Sequence, residues 1–291
     1  MIQLDRGDLH TKSRQKRFHI LLSYIVLTIL ALIFLFPILW VIFSSFYDSK
    51  QATFFPPHFF PDPWTLRSYK GLSDHSIRII NYFKNTILIA ALCIVGTLLS
   101  SSLAAFGFAK MKSRFKNALF FIVLSTMMIP STVTLIPLYS IYSKIRIVDT
   151  FYPLILPAFL GGGAFSIFLL RQFFAAIPNE LSESAIIDGC SWFQIYWKIV
   201  MPNAKPALIV VLINTFVYNW NDYFTPMIFL TSPENFTIAI GLTFSKDMYG
   251  NIIDTGPMAA LACLSIVPIM ILYLFCQKYF IEGVVTTGIK G

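Results

Sequence analysis

Charged residues are scarce in this chain: lysine, arginine, aspartate and glutamate make up 12% of its 291 residues, against 56% hydrophobic residues. The mean hydropathy is +0.71. A soluble globule of this size needs more charge than this to cover its surface, so the composition excludes an ordinary soluble enzyme. It indicates an integral membrane protein instead.

Patterns that carry chemistry are missing as well. The four cysteines form no CxxC pair, and the four histidines have no metal-ligand spacing. The glycine run 161–163 lacks the lysine of a phosphate-binding loop. We therefore expect no catalytic residue, no metal site and no cofactor in this chain, and we do not expect it to be an enzyme.

Long uncharged runs dominate what remains. Each is long enough to cross a bilayer as a helix, and six are predicted to do so. They lie at 18–47, 84–110, 116–144, 149–171, after Pro206, and at 254–278. Pro130 and Pro137 interrupt the third run, and the fourth contains the glycines at 161–163, which favour close helix packing or a local break. The predicted fold is all-α and integral to the membrane, with six transmembrane helices and both termini on one side.

The basic residues predict which side that is. With both termini in the cytoplasm, fourteen of the 22 lysines and arginines lie inside and eight outside, which obeys the positive-inside rule. The net charge of +8 then lies on the inner surface near membrane lipid and requires no nucleic-acid partner. The predicted segments are a cytoplasmic segment 1–17, a first transmembrane helix 18–47, an extracytoplasmic loop 48–84, a transmembrane core 85–281 with a cytoplasmic loop 175–206, and a cytoplasmic tail 282–291.

Residues 178–206 are the longest stretch between two apolar spans that still has a helical pattern, and they are predicted to fold as helix, turn and helix outside the bilayer. Asn179 is expected to cap the first helix, and Gly189 to end it, because glycine takes a left-handed conformation without a Cβ penalty. Ser191 and Gln194 have the spacing of a capping box, which predicts the start of the second helix.

Two prolines mark the far end of this stretch. Pro202 is expected to stop the second helix, and Pro206 to be an early residue of the next one. An ordinary amphipathic loop between two spans would have the same caps, so the caps alone leave the function open.

The spacing in this stretch resembles the cytoplasmic loop signature of ATP-binding-cassette importer permeases. That signature is Glu-Ala-Ala, three residues, Gly, nine residues, Ile, one residue and Leu-Pro, and the chain matches its spacing from Glu183 to Pro202. Two identities differ, with Ser184 for the second-position alanine and Met201 for leucine. In the family this loop is the coupling helix, which sits in a groove of the ATPase subunit and transmits its closing motion to the membrane helices.

Other stretches resemble the smaller permease of maltose-type carbohydrate importers. They are Thr126-Met127-Met128-Ile129-Pro130, Ile136-Pro137-Leu138-Tyr139, Trp220-Asn221-Asp222 ahead of Pro226, and Gly283 to Gly291. The resemblance implies the type I importer permease fold, a multi-pass location in a bacterial-type inner membrane, and transport of a sugar, with an oligosaccharide expected.

The resemblance also implies roles for particular residues. Coupling to the ATPase falls on Glu180, Glu183, Ser184, Ala185, Asp188, Gly189 and Pro202. Contact of the carboxyl-terminal tail with the ATPase falls on Gly288, Ile289, Lys290 and Gly291, with a frayed terminus as the alternative. Contact with an extracytoplasmic solute-binding protein falls on Tyr249 and Gly250, near the tip of a predicted loop.

Asp222 is the one acid well inside an apolar run, and an intramembrane charge is costly enough to suggest a purpose. One interpretation is a translocation pathway lined by Asn219, Trp220, Asn221 and Asp222. The alternative is a polar contact between helices near the outer end of the fifth span.

The resemblance implies an assembly of several proteins. The expected partners are a second, homologous permease subunit in a heterodimer, two ATPase subunits that carry Mg-ATP, a solute-binding protein and the sugar. A permease for glycerol-phosphate-like or other polar solutes is the nearest alternative. An ion-gradient secondary transporter would carry several intramembrane ionisable groups and an internal repeat, and the sequence has one such acid and no evident repeat.

Overall fold

The computed structural model describes residues 6–48, 58–74, 76–248 and 255–288, and all regular structure in these ranges is helical. The helices are α1 (Arg6–Ser44), α2 (Arg67–Asp74), α3 (Ser76–Lys110), α4 (Lys116–Ser125), α5 (Ser131–Lys144), α6 (Tyr152–Phe159), α7 (Ala164–Ala176), α8 (Asn179–Ile187), α9 (Trp192–Ile195), α10 (Met201–Asn203), α11 (Lys205–Asn221), α12 (Phe224–Phe229), α13 (Ile238–Met248) and α14 (Thr255–Gly288). Short 3₁₀ turns follow α4 (Thr126–Met128) and α12 (Pro233–Asn235), and a π-helical turn (Tyr196–Val200) follows α9. The predicted all-α fold is confirmed.

Within the described ranges, four helical segments are long and apolar enough to cross a membrane, and up to six if each of two bent pairs counts as one span. The four are Ile20–Ser44, Arg78–Lys110, Tyr152–Ala176 and Gly256–Lys278. The bent pairs are Lys116–Met128 with Ser131–Lys144, at 96°, and Trp192–Asn203 with Lys205–Asn221, at 80°. The first bend falls at Pro130, as predicted, whereas Pro137 lies inside α5.

Helix ends differ from the predicted segment boundaries in three places. α1 begins at Arg6, inside the segment expected to precede the first span. α2 and the first residues of α3 lie within the predicted loop 48–84. α14 continues to Gly288, past the predicted start of the tail. The cause is common to all three: charged residues mark where a helix leaves the membrane, but they do not end the helix.

The chain divides into two compact units, residues 1–73 with 249–264 and residues 74–248 with 265–291. In the first unit, aromatic side chains from the proline-rich segment pack on the end of α1. The Phe59 ring lies 5.3 Å from that of Phe36 and 5.2 Å from that of Phe43, and Trp64 meets Phe43 edge-on at 5.8 Å. These contacts fix the segment against the first predicted span.

In the second unit α3 is the central helix and packs against α6, α7 and α11. Small side chains allow this packing: a Cβ at Gly96 would lie 2.6 Å from the Phe159 ring of α6. The Ser100 hydroxyl donates a hydrogen bond to the Ala158 carbonyl at 2.7 Å. Such small and polar contacts are typical of membrane helices, which have no hydrophobic driving force between them. Three of these four helices, α3, α7 and α11, also pack against the 178–206 loop.

Candidate functional site

The first helix of the 178–206 loop, α8, ends as predicted at a glycine. Gly189 has φ +80°, in the left-handed region. Its N–H donates to the Ile186 carbonyl at 3.0 Å, and the N–H of Cys190 donates to the Ala185 carbonyl at 2.9 Å. These two bonds form a Schellman motif, which satisfies carbonyls that the end of a helix leaves without partners.

The start of α8 differs from the prediction. Asn179 is the first helical residue, Pro178 occupies the N-cap position, and no side chain caps the helix. The predicted Asn179 cap is therefore wrong. The Asn179 side chain instead accepts a hydrogen bond from Lys110 Nζ at 2.9 Å, and the same ammonium donates to the Ile177 carbonyl at 2.5 Å. A lysine at the end of α3 thus holds the beginning of α8.

The second helix of the loop begins as predicted. Ser191 Oγ accepts from the Gln194 N–H at 3.3 Å, and Gln194 Oε1 accepts from the Ser191 N–H at 2.8 Å. This reciprocal pair is the predicted capping box.

The prediction that Pro202 stops this helix is wrong. Pro202 is the second residue of α10, and the helix ends at Asn203. Proline lacks an N–H and its ring crowds the carbonyl four residues earlier, here Lys198. That carbonyl lies in the π-helical turn Tyr196–Val200, a widened turn that relieves such crowding. Pro206 lies in the first turn of α11, as predicted.

One face of the loop is built into the membrane core. Ala185, Ile195, Tyr196 and Val200 are buried in a cluster with residues from three membrane helices. The cluster partners are Ala105 and Phe106 of α3, Leu170 and Phe174 of α7, and Ala207 and Val211 of α11. The Tyr196 hydroxyl also lies 2.8 Å from Ser102 Oγ of α3. Because these side chains interdigitate, the loop cannot move without moving the helices.

The opposite face of the loop is exposed and largely apolar. Ile187 is 86% exposed, Phe193 68% and Trp197 55%. Large apolar side chains grouped on a surface mark an interaction site more often than an ordinary solvated face.

The residues predicted to couple to the ATPase divide between the two faces. Glu180, Glu183, Ser184, Asp188, Gly189 and Pro202 are exposed, whereas Ala185 is 7% exposed and belongs to the core cluster. The Ser184 hydroxyl donates to the Glu180 carbonyl at 2.7 Å, which satisfies it within α8. The two carboxylates of Glu180 and Glu183 stand on the exposed surface of the first helix, where a basic partner could reach them.

The four residues predicted for the translocation pathway have different surroundings. Trp220 is 3% exposed, donates its indole N–H to the Ser265 carbonyl at 3.0 Å and stacks on Phe216. Asn219 and Asn221 each donate to a carbonyl one turn earlier in α11, both at 2.8 Å. Trp220 is thus a packing residue in this conformation.

Asp222 follows the last residue of α11. Its Oδ1 accepts a hydrogen bond from the Thr225 N–H, in the first turn of α12, at 3.1 Å. The carboxylate therefore satisfies a backbone donor at a helix start. No observation tests whether these residues line a pathway, and that prediction stays open.

Sequence reasoning missed Asp149, which joins two loops on the predicted extracytoplasmic side. Its carboxylate accepts the N–H groups of Thr231 and Ser232, each at 2.9 Å, and the Ser232 hydroxyl. Its own carbonyl accepts from Asn235 Nδ2 at 2.8 Å. We call these four residues the Asp149 clamp. Its partners lie more than 80 positions along the chain, and no local pattern reveals such a pairing.

The electrostatics of the Asp149 clamp follow from these bonds. Partial burial acts to raise the pKa of the Asp149 carboxyl, but the hydrogen bonds from Ser232, Thr231 and Asn235 outweigh it. The pKa is held well below its ordinary value, so the carboxylate is ionised.

Some predicted site residues lie outside the described ranges. These are Tyr249 and Gly250, expected at the solute-binding protein, and Ile289, Lys290 and Gly291 of the tail; Gly288 is the last residue of α14. In the part of the chain that the structure describes, no group of three or more histidine, cysteine, aspartate or glutamate residues could hold a metal ion.

Comparisons with known proteins agree with this architecture. The model of the family described as "Binding-protein-dependent transport system inner membrane component" matches residues 96–284. The arabinooligosaccharide permease AraQ of Halalkalibacterium halodurans is 33% identical over 264 residues, 90% of this chain and 93% of the relative. The maltodextrin permease MdxG of Bacillus subtilis is 30% identical over 273 residues, 92% of this chain and 95% of the relative.

One solved structure supports the fold. It is the crystal structure of a bacterial ABC transporter involved in the import of the acidic polysaccharide alginate. A chain of that transporter superposes with a TM-score of 0.77 at 24% identity, and the match covers 96% of this chain and all of the other.

Proposed function

The chain belongs to the family of binding-protein-dependent transport system inner membrane components, and from that membership we propose that it is the permease of an ATP-binding-cassette importer that brings an oligosaccharide into the cytoplasm. The relatives AraQ and MdxG, which are permeases for arabinooligosaccharides and maltodextrin, support this substrate class. Permease subunits are not enzymes themselves. Hydrolysis of Mg-ATP belongs to a separate ATPase.

The two faces of the 178–206 loop are the observation that carries the proposal. The exposed face offers apolar side chains and two carboxylates to a partner protein, here the ATPase. The buried face interdigitates with α3, α7 and α11. A partner that moves the exposed face therefore displaces three membrane helices together. That arrangement can convert closure of an ATPase dimer into rearrangement of the membrane helices.

The rest of the proposed assembly follows from this role. A second, homologous permease completes the translocation path with this chain. Two ATPase subunits bind the coupling loops, one loop on each permease. A solute-binding protein delivers the sugar at the extracytoplasmic end of the path. The expected contacts of the tail, residues 288–291, with the ATPase and of Tyr249 and Gly250 with the solute-binding protein belong to the same proposal.

Replacing Gly189 tests the coupling role. In Gly189→Val a β-branched side chain must adopt φ +80°, which costs about 1–3 kcal/mol of backbone strain. Open space surrounds the site, so the strain is local and the membrane core is not overpacked. We expect sugar uptake by membrane vesicles to be lost while the subunit stays in the membrane at a normal level.

Gly107→Ala is the matched control. Gly107 lies inside α3, and a Cβ there also meets no atom within 4 Å, but the backbone conformation is helical. This variant should transport normally. Normal uptake by Gly189→Val would contradict the coupling role of the turn.

A further inference from the structure

The strongest unassigned feature is a cleft beside α8, on the predicted cytoplasmic side. Its volume is about 560 Å³, and it lies between α8 and the turn that joins α3 to α4. We call it the basic cleft, because three lysines line it. Its lining is Ala109, Lys110, Met111, Lys112, Lys116, Asn179, Ser182, Glu183, Ile186 and Trp192.

The charge of the basic cleft favours an anion. Lys110, Lys112 and Lys116 line the cleft with one carboxylate, that of Glu183, and Glu180 also interacts with Lys110. Within the described ranges none of the three lysines forms an ion pair, and the positive charge still exceeds the negative. Lys110 and Lys116 donate to neutral oxygens, Lys116 to the Met111 carbonyl at 3.2 Å. Three ammonium groups on the wall of one cleft raise the local concentration of negatively charged ligands.

A buried hydroxyl in the wall of the basic cleft also favours an anionic ligand. Ser182 is 5% exposed, and its Oγ makes no hydrogen bond within the described part of the chain. Leaving a buried hydroxyl without a partner costs free energy, so such groups are rare unless a ligand uses them. An oxygen of a phosphate group in the cleft would accept the lysine protons. Because Ser182 Oγ is closed off from the surface in this conformation, the phosphate would accept its hydroxyl proton once that side chain turns toward the cleft.

The position of the basic cleft along the membrane normal favours a lipid headgroup as the source of the phosphate. Lys110 is the last residue of one apolar segment, and Lys116 is the first residue of the next. The turn between them therefore lies where two predicted spans leave the bilayer, which is the level of the lipid headgroups. Met111, Ile186 and Trp192 supply apolar wall beside the lysines. A free anion needs no such wall, whereas the acyl chains of a lipid pack against apolar side chains.

We propose that the basic cleft binds the phosphate-bearing headgroup of an anionic phospholipid. Lys112, Lys116 and the Ser182 hydroxyl hold the phosphate, and Lys110 continues to fix the start of α8. The 178–206 loop forms one wall of the cleft, and the bound lipid would lie beside Glu183. Because Glu183 also belongs to the surface proposed to meet the ATPase, lipid retention and retention of the ATPase subunit are measured separately.

The test measures lipid retention by the full chain with the subunits that purify with it. The complex is placed in nanodiscs of phosphatidylcholine with graded amounts of phosphatidylglycerol, extracted in mild detergent, and the retained lipids are counted by native mass spectrometry. We expect phosphatidylglycerol to be retained selectively. Lys112→Gln and Lys116→Gln should each weaken retention about five-fold, the factor for about 1 kcal/mol per basic residue near an anionic surface.

Lys198→Gln is the matched control, because Lys198 is exposed on the same loop but does not line the basic cleft. It should retain phosphatidylglycerol normally.

Ser182→Ala gives a second readout, in which thermal stability and lipid retention are expected to respond differently. In phosphatidylcholine alone it should unfold at the same temperature as the unmodified chain or higher, since a buried hydroxyl without a partner is removed. Its retention of phosphatidylglycerol should nevertheless fall.

Three outcomes would overturn the proposal. An equal loss of phosphatidylglycerol retention in Lys198→Gln would show that general surface charge, and not the basic cleft, holds the lipid. If inorganic phosphate added in phosphatidylcholine raised the unfolding temperature as much as phosphatidylglycerol does, and Lys112→Gln abolished that rise, the cleft would be a site for a free anion. Loss of the ATPase subunit from Lys112→Gln and Lys116→Gln with lipid retention unchanged would assign it to an acidic segment of that partner.

Discussion

The 178–206 loop and the Asp149 clamp both join separate helices of the second unit, but they do so by opposite physical means. The inner loop is held by interdigitated apolar side chains of α3, α7 and α11. The clamp is held by hydrogen bonds to the carboxylate and the backbone carbonyl of Asp149, and it joins two loops. An apolar cluster transmits displacement because packed side chains resist compression. A hydrogen-bonded clamp fixes geometry at one point and depends on one residue. The comparison agrees with the proposed roles, in which the loop on the predicted cytoplasmic side transmits motion and the clamp on the predicted extracytoplasmic side positions its loops.

Removing core volume beneath the inner loop should have the largest effect on stability. Phe174 of α7 is fully buried in the cluster that anchors the loop, so Phe174→Ala is expected to cost about 3–5 kcal/mol. Thermal unfolding of the purified chain measures this. Phe165→Ala is the control, because Phe165 lies in the same helix but is exposed, and it should cost far less. Equal losses would show that the cluster is not what holds the loop.

Removing the charge of the Asp149 clamp should have a smaller effect. Asp149→Ala leaves the Thr231 and Ser232 N–H groups without their acceptor, which costs about 1–3 kcal/mol. Asp149→Asn keeps one acceptor oxygen and should cost less. If the clamp positions the outer loops, Asp149→Ala should weaken delivery of sugar by the solute-binding protein and leave the basal ATPase rate of the assembly unchanged. A fall in both would contradict the division of roles.

The pH dependence of the clamp follows from the sign of the pKa shift. The Asp149 pKa in the folded chain is below its unfolded value of about 3.9, so the stabilisation is complete above that value and is lost as the pH falls through the folded pKa. Unfolding temperatures of Asp149→Ala and the unmodified chain should therefore differ by the same amount at pH 7 and pH 5. The difference should shrink only in strongly acid solution.

The same contrast explains how far sequence reasoning reached. The 178–206 loop was predictable because its determinants are local: the bonds around Gly189 and between Ser191 and Gln194 span three to five residues. The partner of Asn179 lies in α3, and the crowding that Pro202 causes is absorbed by a π turn, so both predictions about these residues failed. The Asp149 clamp depends entirely on contacts distant in the chain and was invisible. Spans were identified by length and absence of charge, but helix ends were not, since charge does not end a helix.

The smallest predicted effect on stability comes from two side chains that accept a backbone hydrogen bond at the start of a helix. One lies in the 178–206 loop and the other lies near the predicted extracytoplasmic end of α11. Ser191 caps α9 in the inner loop, and Asp222 accepts from the first turn of α12. Replacing either by alanine should cost about 1 kcal/mol of stability, since each removes one acceptor for a backbone N–H. Ser191→Ala alters the loop proposed to couple to the ATPase, so sugar uptake should fall more than the amount of subunit in the membrane does. Ser191→Asp, which keeps an acceptor at the start of α9, should transport normally. Asp222→Ala should leave uptake unchanged if the Asp222 carboxylate serves only as an acceptor at the start of α12. A selective loss of uptake in Asp222→Ala with normal stability would instead place Asp222 on the translocation pathway, and the outer side would then do more than position its loops.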